Sequence, residues 1–314
     1  MVTPLIALKS ELESYIIGHK NMIEELLIAL LSRGHILIEG VPGLAKTTAI
    51  KALASSCGVE FKRVQFTPDL LPSDIIGGEI FDPKEGSFKV RKGPIFTNML
   101  LCDEINRAPA KVQSSLLEVM EERQVTIGEK SFVIDSPFMV LATQNPIESQ
   151  GAYELPEAQL DRFMLKSIVS YNSKEDELTI AKKAIEGMLT PKQMISKEEI
   201  ERLQDALKSI HMDEQLEHYA IELVDATRNP KEYGLSKLST LIEYGSGTRG
   251  SIALFKASRA MAMIEGRDHV EPKDIQRVAK PTLRHRMILT LEAELDKITS
   301  DELIEAIVDK IDVP

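Results

Sequence analysis

The chain has 314 residues, of which 43% are hydrophobic and 28% charged, and its formal net charge is -11. This length allows one large or two ordinary domains with well-developed cores, and the composition is typical of a folded globular protein rather than a disordered one. The acidic balance argues against a broad electrostatic surface for nucleic acid or for an anionic membrane.

The cysteines and the apolar runs indicate the cellular compartment. The two cysteines, Cys57 and Cys102, fit neither a disulfide framework nor a metal-binding C-x-x-C pair, so a reducing compartment is expected. The apolar run at 5–8 is too short for the core of a signal peptide. No stretch approaches the roughly 18 apolar residues of a membrane span, and we expect a cytoplasmic protein without one.

The first predicted element is a helix from Ile23 to Arg33, which Gly34 is expected to end by taking the left-handed conformation. Short apolar runs then alternate with helical patterns. Strands are predicted at 35–39, 61–65, 98–103, 138–143 and 163–169, and helices at 46–54 and 112–122. Continuous apolar strands separated by helices are typical of a parallel sheet covered on both faces, and so predict an α/β fold.

Two segments interrupt this alternation with the pattern of a β-hairpin. Residues 77–91 contain a turn sequence at 82–86, and residues 124–134 turn at Gly128-Glu129. After about Ser173 only helical patterns remain. These helices are predicted at 174–187, 197–209, 213–227, 250–266 and 272–288. We therefore predict an α/β core over residues 1–172 and an all-helical domain over residues 173–314.

A glycine-rich segment, Gly-Val-Pro-Gly-Leu-Ala-Lys-Thr, joins the first predicted strand to the next helix at residues 40–47. At such a junction the backbone N–H groups and the helix N-terminus can cradle phosphate oxygens. The pattern departs from G-x-x-x-x-G-K-[ST] at Ala45, whose methyl group is tolerated if its φ is negative. Lys46 would reach the phosphates and Thr47 would bind Mg²⁺. A turn that merely links strand to helix is the simpler alternative.

The predicted strand 98–103 ends in two carboxylates, Asp103 and Glu104. They are expected at the carboxyl edge of the sheet, where ligands of α/β folds bind. Asp103 would hold Mg²⁺ through water, and Glu104 would polarise an attacking water as general base. Two acids that cap the following segment are the alternative, which their position downstream of a phosphate loop disfavours.

With these segments and three others, the chain resembles the AAA+ ATPases and, within them, the MoxR family. The matching segments are 40–47, 66–74, 103–108, 142–146 and 155–163, and the resemblance spans nearly the whole chain. It implies a P-loop AAA+ core with a parallel sheet and two inserted β-hairpins, followed by a C-terminal helical lid. Alanine at position 45 is common in this family. The hairpins indicate the helix-2-insert branch, which includes the magnesium chelatase motor subunits.

The resemblance also implies the roles of individual residues around ATP and Mg²⁺. The residues implied to bind the nucleotide are Gly40, Val41, Pro42, Gly43, Leu44, Ala45, Lys46, Thr47 and Thr48, with Ile17 and Gly18 near the adenine. Asn145 is implied as sensor 1 beside Glu104. Arg162 is implied as an arginine finger for a neighbouring subunit. Arg249 is implied as sensor 2, in cis or in trans, with Arg259 as the second choice. Taken alone, Asn145 also fits an ordinary turn and Arg162 a surface ion pair.

The function implied by the resemblance is an ATP-hydrolysing assembly, expected to be a hexameric ring, that remodels or activates a protein partner. Proteins of this kind commonly act with a von Willebrand factor A domain protein, sometimes in metal or cofactor insertion. A motor subunit similar to that of magnesium chelatase remains an alternative function. The acidic residues of the hairpins argue against a nucleic-acid motor. The complete set of catalytic residues argues against a scaffold that binds ATP without hydrolysing it. His211 and His218 have helical spacing of two turns, but no third metal ligand accompanies them.

Overall fold

The computed structural model describes residues 3–146, 153, 155–186 and 190–314. The helices are α1 Thr3–Tyr15, α2 Lys20–Leu31, α3 Lys46–Cys57, α4 Pro72–Ile76, α5 Ala110–Glu122, α6 Glu157–Leu160, α7 Lys174–Glu186, α8 Lys197–Ala206, α9 Glu214–Arg228, α10 Thr248–Ile264, α11 Pro272–Leu283, α12 Leu291–Leu295 and α13 Ser300–Lys310. The strands are β1 Ile36–Glu39, β2 Phe61–Gln65, β3 Gly77–Asp82, β4 Ser87–Lys92, β5 Met99–Asp103, β6 Gln124–Ile127, β7 Lys130–Val133, β8 Met139–Gln144, β9 Leu165–Ile168, β10 Ile242–Tyr244 and β11 Ile288–Leu289.

Five parallel strands form the central sheet in the order β2-β5-β8-β1-β9. In its register Glu39 lies opposite Gln144, and Gln65 lies opposite Asp103. The carboxyl ends of these strands are therefore nearly level. The loops that follow β1, β5 and β8 meet at one edge, and the predicted α/β fold with a parallel sheet is confirmed.

The apolar strands are buried because each face of the sheet packs on its own hydrophobic cluster. Met99 and Leu101 belong to one cluster, which includes residues of α1, α2 and α3. Leu100 and Cys102 point the other way, into a cluster with α5 and the second hairpin. This alternation explains why β5 has no polar face and reads as a continuous apolar run. Both predicted hairpins are present, as β3–β4 and β6–β7.

The helices after residue 173 do not have a core of their own. Helix α10 packs on α2, and α11 packs on β9. Side chains from these helices, such as Leu254 and Ile275, lie in the same cluster as Leu26 and Ile38. The boundary at residue 172 stays a prediction. Among the described residues no helix is long and apolar enough to span a membrane.

Three predictions about secondary structure are wrong. The C-terminal part is not entirely helical, since β10 and β11 form a two-stranded antiparallel sheet. These strands have three and two residues, too few to show an alternating pattern. Helix α1 precedes the first predicted helix and buries Leu5, Leu8 and Leu12. His211 lies before α9, in an isolated bridge with residue 269, whereas His218 lies within α9.

The end of α2 also differs from the prediction. Arg33 adopts the left-handed conformation with φ of 53°, and Gly34 does not. Glycine is needed at position 34 for another reason. A Cβ there would lie 2.8 Å from the Cβ of Met164, which approaches from the segment before β9.

We expect Gly34→Ala to lower the free energy of unfolding by about 1 to 3 kcal/mol, because the new methyl group overlaps Met164 and the backbone must shift. Urea denaturation of the two proteins measures the difference. Gly78→Ala is the matched control, since a Cβ at Gly78 meets no atom within 4 Å. Equal losses in the two variants would contradict the proposed overlap.

His35 is a buried neutral side chain just before β1. The backbone N–H of Val140 donates to its Nδ1 at 2.9 Å, and its Nε2 lies 3.1 Å from the carbonyl oxygen of Met120. Nδ1 therefore accepts, and Nε2 carries the hydrogen. Burial of the ring lowers the pKa of His35 to about 4, and the charge of Arg123 contributes.

Because the unfolded chain protonates His35 near pH 6.5 and the folded protein near pH 4, protons favour the unfolded state between these values. We expect the free energy of unfolding to fall by about 2 kcal/mol between pH 7 and pH 5 through this group. Urea denaturation at both pH values should show a smaller loss for His35→Asn. Equal losses, or a ring that titrates near pH 6.5 by NMR, would contradict the prediction.

Candidate functional site

The loop between β1 and α3 carries the predicted phosphate-binding residues. Ala45 immediately precedes α3 with φ of 55°, so the negative φ that would easily accommodate its methyl group is not adopted. The left-handed conformation costs an alanine about 1 to 2 kcal/mol, and it is the conformation that the usual glycine adopts freely. Gly43 also has a positive φ, and a Cβ there would meet no atom within 4 Å. The loop is therefore open towards the site.

Lys46, the first residue of α3, folds back over this loop, and its Nζ donates to the carbonyl oxygen of Gly40. Burial lowers the pKa of Lys46, while the nearby Asp103, Glu104 and Glu39 act in the opposite direction. A half-buried ammonium group at a helix N-terminus is a favourable place for an anion. The loop residues therefore fit a phosphate group.

A cavity of about 320 Å³ joins the loop to the ends of β5 and β8. Its lining brings together most of the predicted site residues. They are Pro42, Gly43, Leu44, Ala45, Lys46, Thr47, Thr48, Asp103, Glu104 and Asn145, with Thr143. Gly40 and Val41 lie at the start of the loop, where Gly40 is buried and Val41 packs against the core. Asn145 follows β8 and is 6% exposed.

Asp103 is held on both of its carboxylate oxygens. The hydroxyl of Thr143, in β8, donates to Oδ1. Arg63, in β2, donates to Oδ2 from Nε at 3.0 Å and from Nη2 at 2.6 Å. The carboxylate is thereby fixed in orientation at the edge of the sheet. Arg63 and Thr143 were not predicted as site residues, because their proximity depends on the order of the strands.

Glu104 is positioned by its backbone and by two side chains. It has φ of 56°, and its N–H donates to the hydroxyl of Thr143 at 2.9 Å. Its Oε2 accepts from Nε2 of Gln65 at 2.7 Å and from Nη1 of Arg107 at 2.9 Å. Gln65 was also not predicted as a site residue. Its position at the carboxyl end of a predicted strand was a signal, because ligands of α/β folds bind at that edge of the sheet.

The oxygen donors near the loop fit Mg²⁺. Asp103 and Thr47 supply hard carboxylate and hydroxyl oxygens to one cavity. Within the described ranges, no three His, Cys, Asp or Glu side chains cluster as a metal site. Such a donor set suits Mg²⁺, which usually keeps several waters and binds one or two carboxylates together with substrate phosphates.

Ile17 and Gly18 lie between α1 and α2, not before the first helix. Gly18 has φ of 83° and lines a cavity of about 440 Å³ with residues at the end of β9, among them Val169. Gly40 adjoins the same strand end, since a Cβ at Gly40 would lie 2.7 Å from the carbonyl oxygen of Val169. The segment is therefore next to the start of the phosphate loop.

The predicted arginines are not brought to this loop. Arg162 and Arg249 line a separate cavity of about 250 Å³ between the sheet domain and α10. Both pair with Glu121, at 3.3 Å and 2.6 Å respectively. Arg259, the second choice for sensor 2, donates to the carbonyl of Ile210 and to Glu217.

The fold and the phosphate loop define an AAA+ ATPase. A family model described as "ATPase family associated with various cellular activities (AAA)" matches residues 35–165. A second model, described as "AAA lid domain", matches residues 237–307. The chain accordingly binds nucleotide and hydrolyses ATP.

Relatives along the whole chain specify the family. Chaperone MoxR1 of Mycobacterium tuberculosis is 44% identical, over 97% of this chain and 81% of its own length. The uncharacterized protein YeaC of Bacillus subtilis is 42% identical, over 95% and 91%. A crystal structure of a candidate ATPase from Cytophaga hutchinsonii is 46% identical with a TM-score of 0.93, covering 100% and 96%. The chain belongs to the MoxR family of chaperone-like AAA+ ATPases, and the resemblance noted in its sequence is confirmed.

The contact between Gln65 and Glu104 can be tested by Gln65→Ala. Because the substitution removes the 2.7 Å hydrogen bond that orients the carboxylate, we expect kcat for ATP hydrolysis to fall about tenfold with KM for ATP nearly unchanged. Steady-state kinetics measure both constants. Gln124→Ala, at an exposed position of β6, is the control. A raised KM at normal kcat would instead assign Gln65 to ATP binding.

Proposed function

We propose that the chain acts as a homo-oligomeric ring, a hexamer, in which ATP hydrolysis drives the remodelling or activation of a protein partner. The observation that carries this proposal is the separation of the two cavities. The phosphate loop and the acids share one cavity, whereas Arg162 and Arg249 line another. This separation supports a role of the arginines at the ATP of a second copy of the chain, so that a complete catalytic site would form between subunits.

Each residue of the phosphate-loop cavity has a role in this proposal. Residues 41, 43–45 and Thr48 would direct backbone N–H groups at the phosphates, and Lys46 would offset their charge. Gly40, whose N–H donates to the carbonyl of Gln144, and Pro42, which has no N–H, would shape the loop. Thr47 and Asp103 would hold Mg²⁺, which when bound neutralises negative charge on the phosphates. Ile17 and Gly18 would contact the adenine beside the loop.

Glu104 is proposed as the general base and Asn145 as its partner. Glu104 accepts a proton from the attacking water, and its contacts with Gln65 and Arg107 keep the carboxylate directed into the cavity. Asn145, at the end of β8, orients the same water through its side-chain amide.

The two arginines are proposed to act on the ATP of the neighbouring subunit. Arg162 acts as the arginine finger, a contact that typically raises the rate of hydrolysis by about 10³ to 10⁵. Arg249 acts as sensor 2 in trans.

The partner is proposed to be a von Willebrand factor A domain protein, with metal or cofactor insertion as one outcome of the remodelling. Hydrolysis would rotate the helical domain, residues 173–314, against the core, residues 1–172.

The cysteines bear on the cellular compartment. The free, buried Cys57 and Cys102 are compatible with a reducing compartment, and we propose the cytoplasm.

Contacts on the first hairpin favour a protein partner over nucleic acid. Lys89, in β4, pairs with Asp82 at 2.8 Å and with Glu85 at 2.7 Å. Lys92 lies over the rings of Phe96 and Phe132. These two cations are engaged within the chain. A nucleic-acid channel would need such charges directed at phosphates.

Mixing two inactive variants tests whether a catalytic site forms between subunits. Glu104→Gln removes the base and Arg162→Ala removes the finger, so each variant alone should lose nearly all ATPase activity at every protein concentration. In an equal mixture, an Arg162→Ala subunit with an intact base can receive Arg162 from its neighbour. In a randomly mixed ring, about a quarter of the intersubunit sites combine an intact Glu104 with an intact Arg162. We therefore expect the mixture to recover about a quarter of the parent activity.

The control is Arg202→Ala, which removes an exposed arginine of α8 and should leave activity unchanged. The specific activity of the parent should also rise with protein concentration as rings form. Mixtures with no recovered activity, together with a parent whose activity is independent of concentration, would contradict the intersubunit site.

A further inference from the structure

One carboxylate holds both predicted trans-acting arginines. Glu121 lies in the last turn of α5, and its two oxygens point to different partners. Nη2 of Arg249 lies 2.6 Å from Oε1, and Nε of Arg162 lies 3.3 Å from Oε2. Two guanidinium groups from distant parts of the chain therefore converge on Glu121, which is the arrangement that recognises a carboxylate or a phosphate group. Arg249 also reaches Oδ2 of Asp161 with its Nη1, at the longer distance of 3.5 Å.

The rest of this cavity is rigid and cationic. Asp161, which precedes Arg162, accepts from Nε of Arg286 at 2.8 Å, and the Arg286 side chain is 3% exposed. Arg286 also donates to the backbone carbonyls of residues 161, 163 and 164, which fixes the turn that carries Arg162. The described lining contains six arginine or lysine side chains and two carboxylates. The cavity therefore keeps an excess of positive charge with Glu121 in place.

Glu121 is only partly buried, and it stands at an unfavourable position of its helix. Its side chain is 43% exposed, and it stands at the C-terminal end of α5, where the free carbonyl groups disfavour an acidic residue. The two arginines, rather than the helix, favour its position. A more highly charged anion that entered the cavity would compete with Glu121 for the same N–H donors.

We propose that Glu121 is a resident counter-ion, which holds Arg162 and Arg249 together in the free subunit and is displaced by the terminal phosphate of a second copy's ATP. This inference rests on the proposed function, since the second copy supplies the anion. Assembly then breaks two ion pairs within the subunit as it forms new ones across the interface. The exchange takes place only when the γ-phosphate enters the cavity, so the free-energy cost of breaking these pairs falls on assembly with ATP and not on assembly without nucleotide.

The test is the self-association of the chain under ATP, measured by sedimentation velocity. All proteins carry Glu104→Gln, so that bound ATP persists and association is read without turnover. Adding Glu121→Gln keeps the shape of the side chain and removes its charge. Because exposed ion pairs are weak, we expect the concentration for half-maximal assembly to fall about fivefold with ATP. Without nucleotide it should not change, and Glu118→Gln, on an exposed position one turn earlier, should have no effect.

Other results would overturn the inference. An unchanged or raised midpoint with ATP would show that Glu121 is not displaced. A fall in kcat at full assembly, measured for Glu121→Gln with Glu104 intact, would assign Glu121 to orienting the arginines. An equal shift without nucleotide would reveal a general charge effect. If Arg162→Ala abolishes ATPase activity and Glu121→Gln fails to shift assembly, this inference alone is wrong. If Arg162→Ala is fully active, the proposed function is wrong as well.

Discussion

The level carboxyl edge of the parallel sheet is the constraint on which the catalytic site depends. The register that places Glu39 opposite Gln144, and Gln65 opposite Asp103, brings three loops to one place. Because β1, β5 and β8 are buried on both faces, a slip of one residue would turn a row of apolar side chains into the wrong cluster. The hydrophobic packing of the sheet thus sets the positions of polar groups that contribute little to the core.

Two residues of the catalytic site have a strained backbone conformation. Ala45, directly before α3, and Glu104, directly after β5, are both left-handed, with φ of 55° and 56°. Neither residue type favours this conformation. Hydrogen bonds around them help to maintain it, including the contact of the Glu104 N–H with Thr143. The surrounding fold imposes the left-handed conformation on these residues, as is common at functional sites, where side chains must have a fixed orientation.

The second organising feature is the shared core of the two parts of the chain. Helix α10 packs on α2, and α11 packs on β9. The start of α10 shares a cavity with Gly34 and His35, which precede β1 at the end of the sheet opposite the phosphate loop. Arg249 at the start of α10 therefore meets Glu121 and Arg162 instead of Lys46. The same packing arrangement separates the arginines from their own phosphate loop and brings both of them to Glu121, with Asp161 as a further contact of Arg249.

The sequence by itself determined the α/β class, both hairpins and the phosphate loop with its two acids, because these depend on local periodicity and short motifs. It did not reveal Arg63 and Gln65 as partners of Asp103 and Glu104, since strand order is a long-range property. It also predicted the left-handed residue at Gly34 rather than Arg33, and it could not show that Met164 approaches Gly34 closely, because that contact is long-range. Only the tertiary structure decided which cavity holds the arginines. That choice depends on how α10 packs against α2, and many apolar helix faces are compatible with more than one partner.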